Sequence, residues 1–202
     1  MNELCPRIVV CIAPGSEEME AINTIAILKR AEFEVIVASA AEDGALIVAG
    51  SRGIKLVADT ALIAIADDQF DAVVLPGGVA GAEHFRDSPL VVEFVKQHHY
   101  DGKLIAAICA TPAIMFAAND MFTTALMTCH PAFHHQIPAA QLRPKRVVYD
   151  KQARLLTSQG PGTAQEFALD IVTQLTSKAK TAPIAESMVV WPNMHYDVMP
   201  ER

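Results

Sequence analysis

Apolar runs of strand length recur along the chain at RIVVCIA (7–13), EVIVASA (34–40), DAVVLPGG (71–78) and KLIAAICA (103–110). Their branched aliphatic content and lack of strict alternation predict strands covered on both faces. Between the first two, EEMEAINTIAILKRA (17–31) places Met19, Ile22 and Ala26 at helical spacing, with acids opening the segment and Lys29–Arg30 closing it, as the helix dipole favours. PLVVEFVKQHH (89–99) predicts a second helix whose C-terminus is His98–His99 ahead of Asp101–Gly102, and residues 112–118 predict a third. Strand and helix alternate in this order, which predicts an α/β fold: a doubly wound, mostly parallel sheet with helices on both faces.

The remaining segments fill in that frame. Residues 44–66 predict a short hairpin or two edge strands around Ser51–Arg52–Gly53, and RVVYD (146–150) with RLLTSQG (154–160) predicts two strands joined at Lys151–Gln152. GTAQEFALDIVTQLTS (162–177) predicts a last long helix, with Thr163 as N-cap and Glu166 three residues on in a capping box. The tail, 178–202, begins with a helical pattern and ends in the Pro-broken VVWPNMHYDVMPER, where Trp191 reads as a packing residue. The whole, 1–202, reads as a single domain with this C-terminal tail.

Composition narrows the class. Apolar residues make up 51% and charged residues 19% of the chain, a balance that suits a packed globule. Sixteen basic against twenty-three acidic residues give a net charge of -7 with no Lys/Arg cluster, which argues against stable nucleic-acid binding or an anionic-membrane patch. The longest apolar run, near 104–118, is broken by Pro112 and is shorter than the ~20 residues of a membrane span. MNELCPRIVVC lacks the basic start and long apolar stretch of a secretory signal, so a cytoplasmic location is expected. Cys5, Cys11, Cys109 and Cys129 show no CxxC spacing and are expected as free thiols.

Ligands of such sheets bind beyond the carboxyl ends of the strands. PGSEEME (14–20), LPGG (75–78) and ICATP (108–112) fall at three of those ends. Cys109 sits at a strand-to-helix junction, with Thr111 as a cap type and Pro112 suited to the first helical position; amides there favour a thiolate. The same position suits an inert core thiol. Glu17 and Glu18 can face solvent and serve the helix dipole, whereas Glu20, further round, is either a buried proton carrier or another solvated charge. Gly77–Gly78 permits converging amides or simply a tight turn. His130, His134 and His135 could suggest a metal site, but Pro131 opposes a helix across the first pair, and no metal or other cofactor is expected.

Taken together, APGSEEMEA (13–21), GSRGIKL (50–56), VVLPGG (73–78), AAICATPA (106–113) and LLTSQGPGTAQEFAL (155–169) resemble the ThiJ/PfpI superfamily, in its YajL-like and parkinsonism-associated deglycase branch. The resemblance implies a flavodoxin-like homodimer in which Cys109 is the reactive elbow cysteine and Glu20 the protonated glutamate that hydrogen-bonds it. It implies an oxyanion-binding pair of amides at Gly78 and Ala110, with Gly77 beside them, and an Arg52 that reaches toward the partner's site. His130 falls near a histidine of the eukaryotic relatives. Peptidases of the superfamily carry His directly after the cysteine; Ala110 stands here, so peptidase chemistry loses its base. Thr111 replaces a glycine common in eukaryotic relatives. An amidotransferase-like role would want a late His/Glu pair, and GPGTAQE supplies Glu166 alone. The implied activity is a cofactor-free deglycase or glyoxalase acting on methylglyoxal, glyoxal or their early protein and nucleotide adducts. The alternative is a redox-sensing chaperone in which Cys109 becomes a sulfinate.

Overall fold

The computed structural model describes residues 5–190. Strands β1 (Arg7–Ile12), β2 (Glu34–Ser39), β3 (Ile47–Ala49), β4 (Lys55–Val57), β5 (Thr60–Ala61), β6 (Ala72–Leu75), β7 (Leu104–Ile108), β8 (Val147–Asp150) and β9 (Leu155–Ser158) occur in chain order. The four apolar runs become β1, β2, β6 and β7. A seven-stranded sheet runs β5-β2-β1-β6-β7-β9-β8. It is parallel except for β8, which pairs antiparallel with β9. β3 and β4 form the separate antiparallel hairpin. The order reverses direction between β1 and β6, which is the topological switch point of a flavodoxin-like sheet.

Helices α1 (Glu18–Arg30), α2 (Val79–Asp87), α3 (Pro89–Tyr100), α4 (Ala164–Leu175) and α5 (Lys178–Ser187) cover the two faces. The two-residue side-chain period of the strands sorts the core. Val9, Cys11, Val73, Leu75, Ile105 and Ala107 pack with Phe85 of α2 and Val91, Phe94 and Val95 of α3. Their neighbours Ile8, Val10, Val74, Leu104, Ala106 and Ile108 pack with Ile27 and Leu28 of α1, Phe167 and Ile171 of α4, and Ala185 of α5. His98 closes α3 as expected, buried beside Phe70 and Phe94. Trp191 and the rest of the tail from 191 lie outside the described residues.

One element is added to the sequence reading and two local expectations are corrected. Helix α2 is not signalled by its apolar pattern: Gly81 weakens it, yet a side chain there would meet the Ser16 backbone at 2.8 Å, so close packing overrides propensity. The capping box at Thr163 does not form. Its hydroxyl instead accepts from Gly160 N at 3.0 Å and pairs with Ser158 Oγ at 2.6 Å, while Glu166 pairs with Arg146 at 2.9 Å. Glu18 is not a solvated dipole charge. It is 4% exposed, and its carboxylate accepts from Ser51 Oγ at 2.9 Å, Arg52 N at 2.6 Å and Ile54 N at 3.3 Å, so it ties the β3–β4 hairpin to the start of α1. Hydrogen bonds to a charged acceptor are the stronger kind, and Glu18→Ala is expected to cost about 2–3 kcal/mol in urea unfolding. Faster trypsin cleavage at Arg52 should accompany that loss.

Candidate active site

Three turns meet at the switch point. The first, Ala13–Glu17, leaves β1, where Ser16 Oγ accepts from Ala13 N at 2.9 Å and delivers the chain into α1. Glu17 caps that helix, its carboxylate accepting from Glu20 N at 2.8 Å. This geometry turns Glu20 inward, where it is fully buried. The second turn, Pro76–Gly78, leaves β6. Gly78 has φ of +85°, in the left-handed region that glycine adopts without strain, and a side chain on it would run into the Gly15 carbonyl.

The third turn carries Cys109, directly after β7. Its φ of +67° is left-handed for a residue with a side chain, a conformation costing about 1–2 kcal/mol that persists only where surroundings enforce it. Here both flanking peptides are held: Cys109 N donates to Ser158 O at 2.9 Å and Cys109 O accepts from His130 N at 2.8 Å. The result is a strand-to-helix elbow that projects the thiol into the site, 8% exposed.

Thr111 does not cap the helix that follows. The Ala110 carbonyl already accepts from Ala113 N at 3.1 Å and Ile114 N at 2.9 Å, so the helix starts before Thr111, which is itself helical with φ of −58°. Residues Pro112–Phe116 then form a wide π-helical turn. The Thr111 hydroxyl points the other way and donates to Pro76 O at 2.7 Å.

The electrostatics single out Glu20 and Cys109. Burial raises Glu20 to about 8, the charge of Glu17 adds to this, and hydrogen bonds from Gly77 N and with Cys109 offset part of it. The Gly77 amide donates to Oε2 at 2.6 Å, while Oε1 is buried with no other partner among the described residues. The same carboxyl is hydrogen-bonded with the Cys109 thiol, so its proton and the sulfur are neighbours. The Cys109 thiol is pushed up to about 12, first by burial and then by a charged Glu20, against the pull of the Gly78 and Ala110 amides on its sulfur. The charge of Glu20 contributes only when that carboxyl is ionised. With Glu20 neutral, its acid proton becomes a third donor to sulfur and the influence of the carboxyl reverses sign. Cys11 and Cys129 are also pushed up to about 12, by burial alone.

The other anticipated residues fall as follows. Gly78 and Ala110 supply the two amides that face sulfur. The Gly77 amide is committed to Glu20, so Gly77 supports the carboxyl and not the anion pair. His130 acts on the elbow through its backbone N–H, while its ring Nδ1 accepts from Ala132 N at 3.2 Å and caps the short helix Pro131–Gln136. No cluster of three metal-ligating side chains occurs among the described residues. Arg52 is exposed at the hairpin tip, with its main-chain N–H engaged by Glu18.

A flavodoxin-like sheet with a cysteine elbow and a buried carboxyl at its switch point defines a class of α/β proteins built around a thiol–carboxyl pair. Within that class, the chain belongs to the DJ-1/PfpI family, which it matches over residues 6–174. Protein dj-1beta of Drosophila melanogaster is 39% identical over 90% of this chain and 95% of its own length. The Caenorhabditis elegans protein named glutathione-independent glyoxalase DJR-1.2 is 33% identical over 82% and 86%. The crystal structure of VC2308 protein superposes with a TM-score of 0.91 at 44% identity, covering 95% of this chain and 96% of that one. Protein DJ-1 homolog B of Arabidopsis thaliana is 40% identical over 92% of this chain, which spans only 41% of the plant protein. No helix of the described residues is long and apolar enough to cross a membrane.

Proposed function

We propose that the protein is a cofactor-free glyoxalase, with deglycase activity on early adducts of the same dicarbonyls, and that Cys109 and Glu20 carry the reaction. The observation that supports this most is the buried carboxyl of Glu20, held by the Gly77 amide and hydrogen-bonded with the Cys109 thiol. The sulfur, as the thiolate, attacks the aldehyde carbon of methylglyoxal, forming a C–S bond as the carbonyl π pair moves to oxygen, which takes the proton of Glu20 and leaves that carboxyl ionised. The Gly78 and Ala110 amides stabilise the developing negative charge. The Glu20 carboxylate then removes the proton from the former aldehyde carbon and returns it to the adjacent carbon, while the hydroxyl proton passes to the neighbouring ketone oxygen, giving a lactoyl thioester. Water cleaves the C–S bond, so methylglyoxal plus water becomes lactate and the thiol is regenerated.

The 8% exposure of Cys109 favours free two- and three-carbon dicarbonyls over bulky adducts as substrates. The relative named as a glutathione-independent glyoxalase supports the same chemistry. A second copy of the chain is the expected partner. Met19 and Ile22 of α1 and Ile47, Ile54 and Val57 of the hairpin are all more than half exposed, apolar surface suited to self-association.

The purified protein is expected to form lactate from methylglyoxal with no added thiol or metal. Absence of lactate would remove the glyoxalase reading. The same three donors around sulfur suit a sulfinate, so the redox alternative makes a separate prediction. Under dilute peroxide, mass spectrometry should find Cys109 oxidised before Cys5, Cys11 and Cys129; equal rates would exclude a sensor.

A further inference from the structure

Two peptide units between Pro76 and Gly78 are hydrogen-bonded at both ends, and each points at one of the reacting groups. The Pro76–Gly77 peptide accepts from the Thr111 hydroxyl at 2.7 Å and donates through Gly77 N to Glu20 Oε2 at 2.6 Å. The Gly77–Gly78 peptide accepts from Glu17 N at 2.9 Å and faces the Cys109 sulfur with Gly78 N. Thr111 is fully buried and directly follows Ala110, whose amide is the other donor to that sulfur. One side-chain hydrogen bond therefore spans the two turns that each contribute one amide.

We infer that Thr111 is a positioning residue: its hydroxyl latches the Pro76–Gly78 turn to the Cys109 elbow, so that the Gly78 and Ala110 amides converge on one sulfur while the same peptide holds Glu20. This rests on reading Cys109 as the functional thiol and adds a residue that touches neither substrate nor sulfur. Glu20 also meets both turns, but on the elbow side it bonds the thiol itself, whereas Thr111 holds the turn through the chain that directly follows the Ala110 amide. Hydrogen-bonded chains of this kind strengthen one another, so slackening the first bond loosens the amide–carboxyl bond and the amide–sulfur contact together. Both effects weaken donors to a thiolate.

The charged and titratable groups around the pair are few. Glu17 caps α1 and contributes its charge to Glu20, and Glu18 is turned away into the hairpin beside the exposed Arg52. From the other side, His130 meets the elbow through its main chain. None of these groups bonds Thr111, so its substitution leaves their charges in place.

The test is the pH profile of Cys109 alkylation by iodoacetamide, read by peptide mass spectrometry, in wild type, Thr111→Val and Thr111→Ser. Thr111→Val keeps the shape and loses the hydroxyl. Its alkylation midpoint is expected to rise by about half to one unit, which is about 3- to 10-fold slower reaction at a fixed pH below it. Thr111→Ser is expected to restore the wild-type midpoint. A Val profile superimposable on wild type, or Ser and Val shifted equally, overturns the latch. If Val does not fold, Thr111→Ala with the same Ser comparison decides the matter in the same way. The assay uses no carbonyl substrate, so a failed glyoxalase reading shows as missing lactate while the latch stands or falls on alkylation alone.

Discussion

Cys109→Ser is expected to lower lactate formation from methylglyoxal by about 10³-fold or more, the scale on which loss of a covalent nucleophile is felt. The substitution is nearly isosteric, and serine meets the same left-handed φ of +67° that the elbow imposes on cysteine. Folding should therefore survive, and the loss reads as chemistry. A serine hydroxyl keeps its proton in this setting: two amides and one carboxylic acid help a thiol to ionise but fall far short of what an alcohol needs. Its oxygen would also sit deeper than the larger sulfur, further from an incoming carbonyl. Lactate assayed by dehydrogenase coupling, alongside the thermal unfolding midpoint, separates the two effects. Wild-type turnover in the serine variant would remove Cys109 from the mechanism. Cys11→Ser and Cys129→Ser make the contrasting pair, since burial alone acts on those thiols and their loss should leave turnover unchanged.

Much of this site can be read from the chain because its parts lie at strand ends, where apolar runs stop and a glycine, acid or cysteine begins. The runs at 7–13, 71–78 and 103–110 locate β1, β6 and β7, and with them all three turns. What escapes is set by tertiary contact. Glu18 and Glu20 are two residues apart on one helix and look alike in sequence. One is claimed by the amides of a hairpin more than thirty residues away, the other by Gly77 and a thiol. Helix α2 is hidden because Gly81 answers to the Ser16 backbone and not to helix propensity. Thr111 looks like a cap because Pro112 follows it, but the left-handed elbow starts the helix one residue early and frees the hydroxyl for Pro76. The signal for that role is the coincidence of a β-branched hydroxyl with the residue after a facing amide, which acquires meaning only once the second turn is in place.

Glu20→Gln is expected to make the protein more stable at neutral pH while abolishing turnover. The wild-type carboxyl releases its proton near 4.5 when unfolded but holds it to about 8 when folded, chiefly because it is buried. Between those values the folded state binds the extra proton, so stability falls as pH rises, by about 1.4 kcal/mol per unit. Below 4.5 both states are protonated and nothing is lost. By pH 7 the loss reaches about 3 kcal/mol, and above about 8 it stops growing. Glutamine carries no such proton and keeps an oxygen for the Gly77 amide. Urea unfolding of both proteins at about pH 5 and about pH 7 isolates the effect, since every other titrating group is common to the pair. The stability gap in favour of the variant should widen between the two pH values by about 2.5 kcal/mol, most of that loss. A gap that stays constant would place Glu20 at an ordinary carboxylate value, and the proton it is assigned in catalysis would not be there to transfer. A cost of that size at a fully buried position is retained only if the acid does something a neutral amide does not, which is why stability and turnover should move in opposite directions here.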